Sequence, residues 1–311
     1  MISFQTLEDA HPTRPGDRWR RLYRLLASVT CATVLLTASP ARPRAQSAPP
    51  NGAVPSSPTF ADAQRLFLNS HYAAAAELAM ALQLKTADAA HSELRSSALL
   101  FQLKALLEGP PGADLDKNAV DKLDKKDALK RCVPCPELIA AFKAEVERGQ
   151  TLARARLRAN PTDESALFLL GKLDLNYVWL VLGPLGQRTG WDEYWEARRS
   201  LDAVLKINPQ HVRAMVARAW VDYIVDTKMP FGTKWILGGG NKKKALTAIR
   251  LATKVPTDFY AQAESEFALW NILLREHQTP EATVIARRLA LTFPENPELA
   301  AYLKARAADK P

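Results

Sequence analysis

From about residue 138 onward, apolar positions recur every three or four residues, the period that lines one face of an α-helix. In the stretch Tyr194–Pro209, Ala197, Leu201, Val204 and Leu205 fall at i, i+4, i+7 and i+8. Ala245, Ile249, Ala252 and, one step off, Thr253 repeat the arrangement, and Ala282, Ala286 and Leu289 do so again. Each run ends near a proline: Asn160-Pro161, Asn208-Pro209, Val255-Pro256 and Phe293-Pro294, spaced by 48, 47 and 38 residues. Helices of this kind cannot bury their apolar faces alone, so the pattern predicts an all-α chain of stacked helical hairpins.

The residues at corresponding places carry a resemblance to the tetratricopeptide repeat family. Leu170-Gly171 in a first helix, Ala197 and Leu201 in a second, and the closing Pro209 match the family's motif in order. Ala219, Ala245, Ile249 and Pro256 match with Ala for Gly, and Tyr72, Ala75 and Ala79 look like the turn and second helix of an earlier unit. The resemblance covers residues 60–108 and 138–305 and implies an α-solenoid with a concave binding face.

Three stretches depart from that pattern. Gly171 to Ala197 and Ala219 to Ala245 are both 26 residues, against about 12 in an ordinary repeat of this kind. Both hairpins therefore carry an insertion rich in Gly and aromatic residues, VLGPLGQRTGWDEY and DTKMPFGTKWILGGGNK. The third departure is the polar stretch Gly109 to Cys135, with a short helix expected near Lys117 to Leu129.

The N-terminus calls for a different reading. Arg14, Arg18, Arg20, Arg21 and Arg24 precede an uncharged, mostly apolar run, Leu25 to Ala38, too short to cross a bilayer. Small residues follow, with Ala41 and Ala45 as cleavage points, which is the layout of a secretory signal peptide; an uncleaved N-terminal anchor is the alternative. The expected organisation is a signal peptide over 1–45, a disordered linker over 46–58, a first helical hairpin region over 59–108, a polar connector with CxxC over 109–137, the helical array over 138–305 and a tail over 306–311. No stable membrane span remains after processing.

The formal charge of +9 falls to +5 once residues 1–45, with seven Arg and three acids, are set aside. That excess is too mild to predict nucleic-acid binding. Cys132-Val133-Pro134-Cys135 is the one thiol pair beyond the leader. A βαβ setting for redox chemistry, four ligands for zinc and a following His for c-type haem are all missing, and an exported chain favours a local disulfide. Gly238-Gly239-Gly240-Asn241-Lys242 before a helix reads either as an anion site or as a tight loop with Asn241 as N-cap. Asp222 and Asp226 share a helix face, with Lys228, Lys234 and Arg188 available as salt-bridge partners. Six of the seven tryptophans lie between Trp179 and Trp270, and Trp191, Phe231 and Trp235 fall inside the insertions. They either seal the array or wall a groove for a ligand. The five histidines are scattered, and no HExxH, GxSxG or dinucleotide fingerprint occurs, so no catalytic, metal or cofactor site is expected.

These readings converge on an exported binding or scaffold protein that mediates protein–protein interaction in the cell envelope. The alternative is a periplasmic small-molecule binder serving a transporter, its ligand acidic or apolar. The two insertions are expected to pack against each other as the functional surface. Trp191, Phe231, Lys234, Trp235, Asn241 and Lys242 are the partner-binding candidates, and Lys234 with Lys242 to Lys244 supplies a positive rim for an acidic group.

Overall fold

The computed structural model of the chain describes residues 57–108, 125–187, 189–228 and 234–308. The expected leader, all but the end of the linker, most of the polar connector, Arg188 and Phe231 lie outside the described residues. Within them the chain is all-helical. It comprises α1 (Phe60–Leu68), α2 (Tyr72–Lys85), α3 (Ala89–Glu108), α4 (Lys125–Arg131), α5 (Cys135–Ala159), α6 (Glu164–Leu182), α7 (Trp191–Ile207), α8 (Val212–Lys228), α9 (Lys242–Ala252), α10 (Phe259–Arg275), α11 (Thr279–Thr292) and α12 (Pro297–Ala308).

Local chemistry sets the boundaries. Thr59 and Asp62 form a reciprocal capping box ahead of α1. The prolines fall in the turns before α6, α8, α10 and α12, where a missing N–H and a fixed φ cost nothing. In two of these turns the Asn before the proline accepts from a backbone N–H two residues on, Thr162 to Asn160 and Gln210 to Asn208. Asp163 and Asp258 then cap α6 and α10. Gly171 lets α6 lie close on α7, because a Cβ there would meet Leu201 at 3.2 Å and the Ala197 carbonyl at 3.3 Å.

Neighbouring helices pack in pairs: α1 with α2, α3 with α5, α6 with α7, α8 with α9, and α10 with α11. The stretch 59–108 therefore holds more than one hairpin: it contains α1, α2 and also α3, whose partner α5 lies across the polar connector. That connector is a third enlarged link, placed like the two insertions, so three consecutive pairs carry long links while the outer pairs turn in three residues (Asn69–His71 and Glu276–Gln278). Lys125–Arg131 (α4) overlaps the end of the short helix expected near Lys117 to Leu129, whose earlier residues lie outside the described ones, and it packs on α3. Cys132 and Cys135 are bonded, with Cα atoms 5.4 Å apart, and join the end of α4 to the start of α5, three residues before the expected array boundary. α12 likewise runs into the expected tail, as far as Ala308.

Four charged side chains are buried where the helices meet. Glu93 of α3, Lys172 of α6, Arg213 of α8 and Glu264 of α10 are all buried, two acids against two bases. Arg213 Nε donates to Glu264 at 2.7 Å, one of its Nη atoms lies 3.7 Å from Glu93, and the guanidinium sits 4.5 Å from the centre of the Phe168 ring. Ser97 Oγ donates to Glu93, and Asn176 of α6 donates to Ser96 and Ser97. Burial pushes both carboxyls upward, while Lys172 and Arg213 pull them back. α3, α6, α8 and α10 thus share a packed polar centre.

The array also closes end to end. Tyr260 of α10 donates to the Ala61 carbonyl at 2.8 Å, and Asn296 before α12 donates to the Leu68 carbonyl at 2.8 Å. Asn69 accepts from the Glu295 N–H, and His71 meets the Glu295 carboxylate at 2.6 Å. Among the described residues one helix, α6, is long and apolar enough to cross a membrane, but most of it is buried in the core.

Candidate functional site

The second insertion is where the fold holds a loop firmly and leaves its apolar side chains outside. Asp226, near the end of α8, grips both sides of it: one carboxylate oxygen takes Lys234 Nζ at 2.6 Å and the other takes the Lys242 N–H at 2.8 Å. The Lys234 ammonium and the Lys242 amide together hold the Asp226 carboxyl below its ordinary range. Between these anchors, residues 234–238 form a turn closed by Gly239 N–H to the Lys234 carbonyl. Gly240 passes so close to α8 that a Cβ would lie 2.6 Å from the Asp222 carbonyl.

From the other side, α7 reaches up to the loop. Arg198 donates to the carbonyls of Leu237 and Gly238, and Tyr194 donates to the Leu237 carbonyl at 2.9 Å. Burial pushes the Tyr194 hydroxyl up, with Arg198 opposing. Gly238 has φ +75° and its missing Cβ would lie 2.9 Å from the Arg198 guanidinium carbon, so only glycine fits under that clasp. Leu237 is buried, whereas Trp235 is 76% and Ile236 52% exposed.

The sequence candidates separate under this geometry. Trp191 is not part of a loop: Gly190, with φ +89°, starts α7, and Trp191 opens that helix half-buried against the core. The first insertion folds back on the end of α6, with Gln187 N–H donating to the Val181 carbonyl. The two insertions meet through the first turns of α7, which leave one and clasp the other. Trp220, Trp270, Tyr194 and Tyr223 are core residues, so much of the aromatic set seals the array. Asn241 caps α9, its side chain accepting from Lys244 N–H at 2.9 Å. Lys234 and Lys242 do not form a free positive rim, because Asp226 holds the first and Glu276 holds the second at 2.8 Å. Lys243 and Lys244 are exposed, with no ion pair among the described residues. Asp222 pairs with Arg218.

No protein family, curated protein or solved structure matches the chain.

The clasp residues Arg198 and Tyr194 escaped the sequence reading, since an Arg and a Tyr four apart on an amphipathic helix carry no local sign of a loop some forty residues away. Among the described residues no group of three or more His, Cys, Asp or Glu is arranged to hold a metal.

Proposed function

We propose that this chain is an exported, tetratricopeptide-like scaffold that holds a protein or peptide partner at the edge carrying its second insertion. The observation that supports this reading is the contrast at the loop apex. Arg198, Tyr194 and Asp226 fix the backbone, yet Trp235 and Ile236 face water. An aromatic side chain presented on a pre-ordered loop loses little freedom on association, the property that makes tryptophan a frequent anchor of interfaces. The exposed Lys243 and Lys244 beside it suit a partner with acidic groups around an apolar contact. Export rests on the basic and apolar segments before residue 45, and a binding role is preferred over catalysis because no constellation of reactive side chains meets at this edge.

A photo-crosslinking residue placed at Trp235, in protein expressed through its own leader, tests the reading. A discrete adduct with an envelope protein, competed by the unmodified chain and absent when the crosslinker is moved to exposed Val133, supports it. Adducts equally spread from both positions, or an intact Met1 on cytosolic protein, reject it.

A further inference from the structure

Beyond the Trp235 edge, α9 and α11 lie side by side, tied by Arg250, whose guanidinium donates to Glu281 at 2.6 Å and to Gln278 at 2.9 Å. Residues 242–254 and 279–292 together carry seven Lys or Arg and a single acid, Glu281. Three of the seven are paired: Lys242 with Glu276, Arg250 with Glu281 and Arg288 with Glu266. Lys243, Lys244, Lys254 and Arg287 are exposed and form no ion pair among the described residues. On the same two helices Leu251 is 55%, Val284 61% and Leu291 86% exposed. We propose that this face of α9 and α11 docks the protein on a bilayer surface rich in anionic lipid.

Helical spacing gathers these side chains into stripes. Thr247, Leu251 and Lys254 follow Lys243 at i+4, i+8 and i+11, and Val284, Arg287 and Leu291 follow Pro280 at i+4, i+7 and i+11. The opposite rows, Ala245, Ile249 and Ala252 on α9 and Ala282, Ala286 and Leu289 on α11, are buried in the core. Arg250 borders the first stripe and Glu281 the second, so their ion pair joins the two into one surface. Aliphatic side chains stand singly on it between bases. That is the composition of an interfacial helix, whose apolar groups dip below the headgroups while Lys and Arg reach the phosphates. No unpaired acid lies on either helix to oppose an anionic leaflet. The outer side of α5 differs, because exposed Glu137 and Glu147 alternate there with Lys143 and Arg158.

This docking needs neither Trp235 nor its partner, and the test leaves that edge unaltered. The protein, purified as its own cell processes it, is floated with phosphatidylglycerol–phosphatidylcholine vesicles and with phosphatidylcholine vesicles alone. Retention is expected on the anionic vesicles only, and is lost at about 0.5 M salt. It should weaken about thirtyfold in Lys254→Gln with Arg287→Gln and about tenfold in Leu251→Ser with Leu291→Ser, at unchanged melting temperature. The same charge change on α5, Lys143→Gln with Arg158→Gln, should alter retention by less than about twofold. Equal retention on both vesicles, retention unaltered by the α9 and α11 substitutions, or a loss that the α5 pair matches overturns the proposal. So does binding of soluble poly-glutamate without retention on vesicles, which would assign the face to an acidic protein.

Discussion

The centre of the array and its second insertion each depend on one arginine, and the two arginines face different partners. Arg213 sits among helices, with carboxylates from α3 and α10 around it and the Phe168 ring against its face. Arg198 leaves its helix to hold the carbonyls of a loop, which are dipoles rather than charges. The result inverts the usual distribution of polarity. Charges lie inside, where methyl groups would serve, and a tryptophan and an isoleucine lie outside. Buried ion pairs often add little stability over apolar replacements, and one use for them is to fix how elements align. At the centre, then, polarity fixes four helices relative to one another; at the rim, it presents a loop whose apex adds almost nothing to the core.

Breaking the central side of the comparison has the largest expected effect. Arg213→Met leaves Glu93 and Glu264 buried without their shared partner and should cost about 3–5 kcal/mol in urea unfolding. A loss below about 1 kcal/mol would show that the charges are not what aligns the inner helices.

Next comes pH. Asp174 on α6 is buried beside Gln150, and burial pushes its carboxyl from 3.8 up to about 8. Between those values the folded state holds a proton that the unfolded state has lost, so this group's contribution is full below pH 3.8 and falls as pH rises toward about 8. Asp174→Asn should flatten that part of the stability profile and exceed the wild type in stability at pH 8.

The rim should yield less. Arg198→Ala removes the clasp at a cost of about 1–3 kcal/mol, with faster tryptic cleavage at Lys234 as the local readout. Gly239→Ala should cost about 1 kcal/mol from its positive φ alone. Gly238→Ala, at the same φ but against the guanidinium, should cost more; equal losses would mean that the clasp is loose. Smallest of all for stability is the pair Trp235→Ala with Ile236→Ala, within about 0.5 kcal/mol, although partner crosslinking should vanish. A large drop in melting temperature would turn the apex into a structural plug.

What could be read from the sequence was local. The four prolines, the Asn241 cap and the partnership of Asp226 with Lys234 each involve residues within a turn or two of one another, whereas Leu170-Gly171, which packs against Ala197 and Leu201, was legible only through the repeat motif. Glu93, Lys172, Arg213 and Glu264 were not legible, because each looks like an ordinary polar position on its own helix until four helices are folded together. Trp191 was misplaced by one turn, since Gly190 breaks the apolar pattern just where α7 starts. α3 packs on α2 and also on α5, and the second contact was not legible because α5 lies beyond a polar stretch that reads as a boundary. End-to-end closure, which brings Ala61 to Tyr260, has no counterpart in any short window of sequence.

That closure changes how the molecule can come apart. An open stack of helical pairs frays from its ends, each pair steadied by one neighbour only. Here the N-terminal pair is latched to the C-terminal turns, so the array lacks an ordinary loose first unit and its unfolding should be more nearly all-or-none. The same latch orders events during synthesis: α1 is made long before α12, but the Leu68 carbonyl meets its donor only after Asn296 exists. The first described helix is thus among the last to reach its final place.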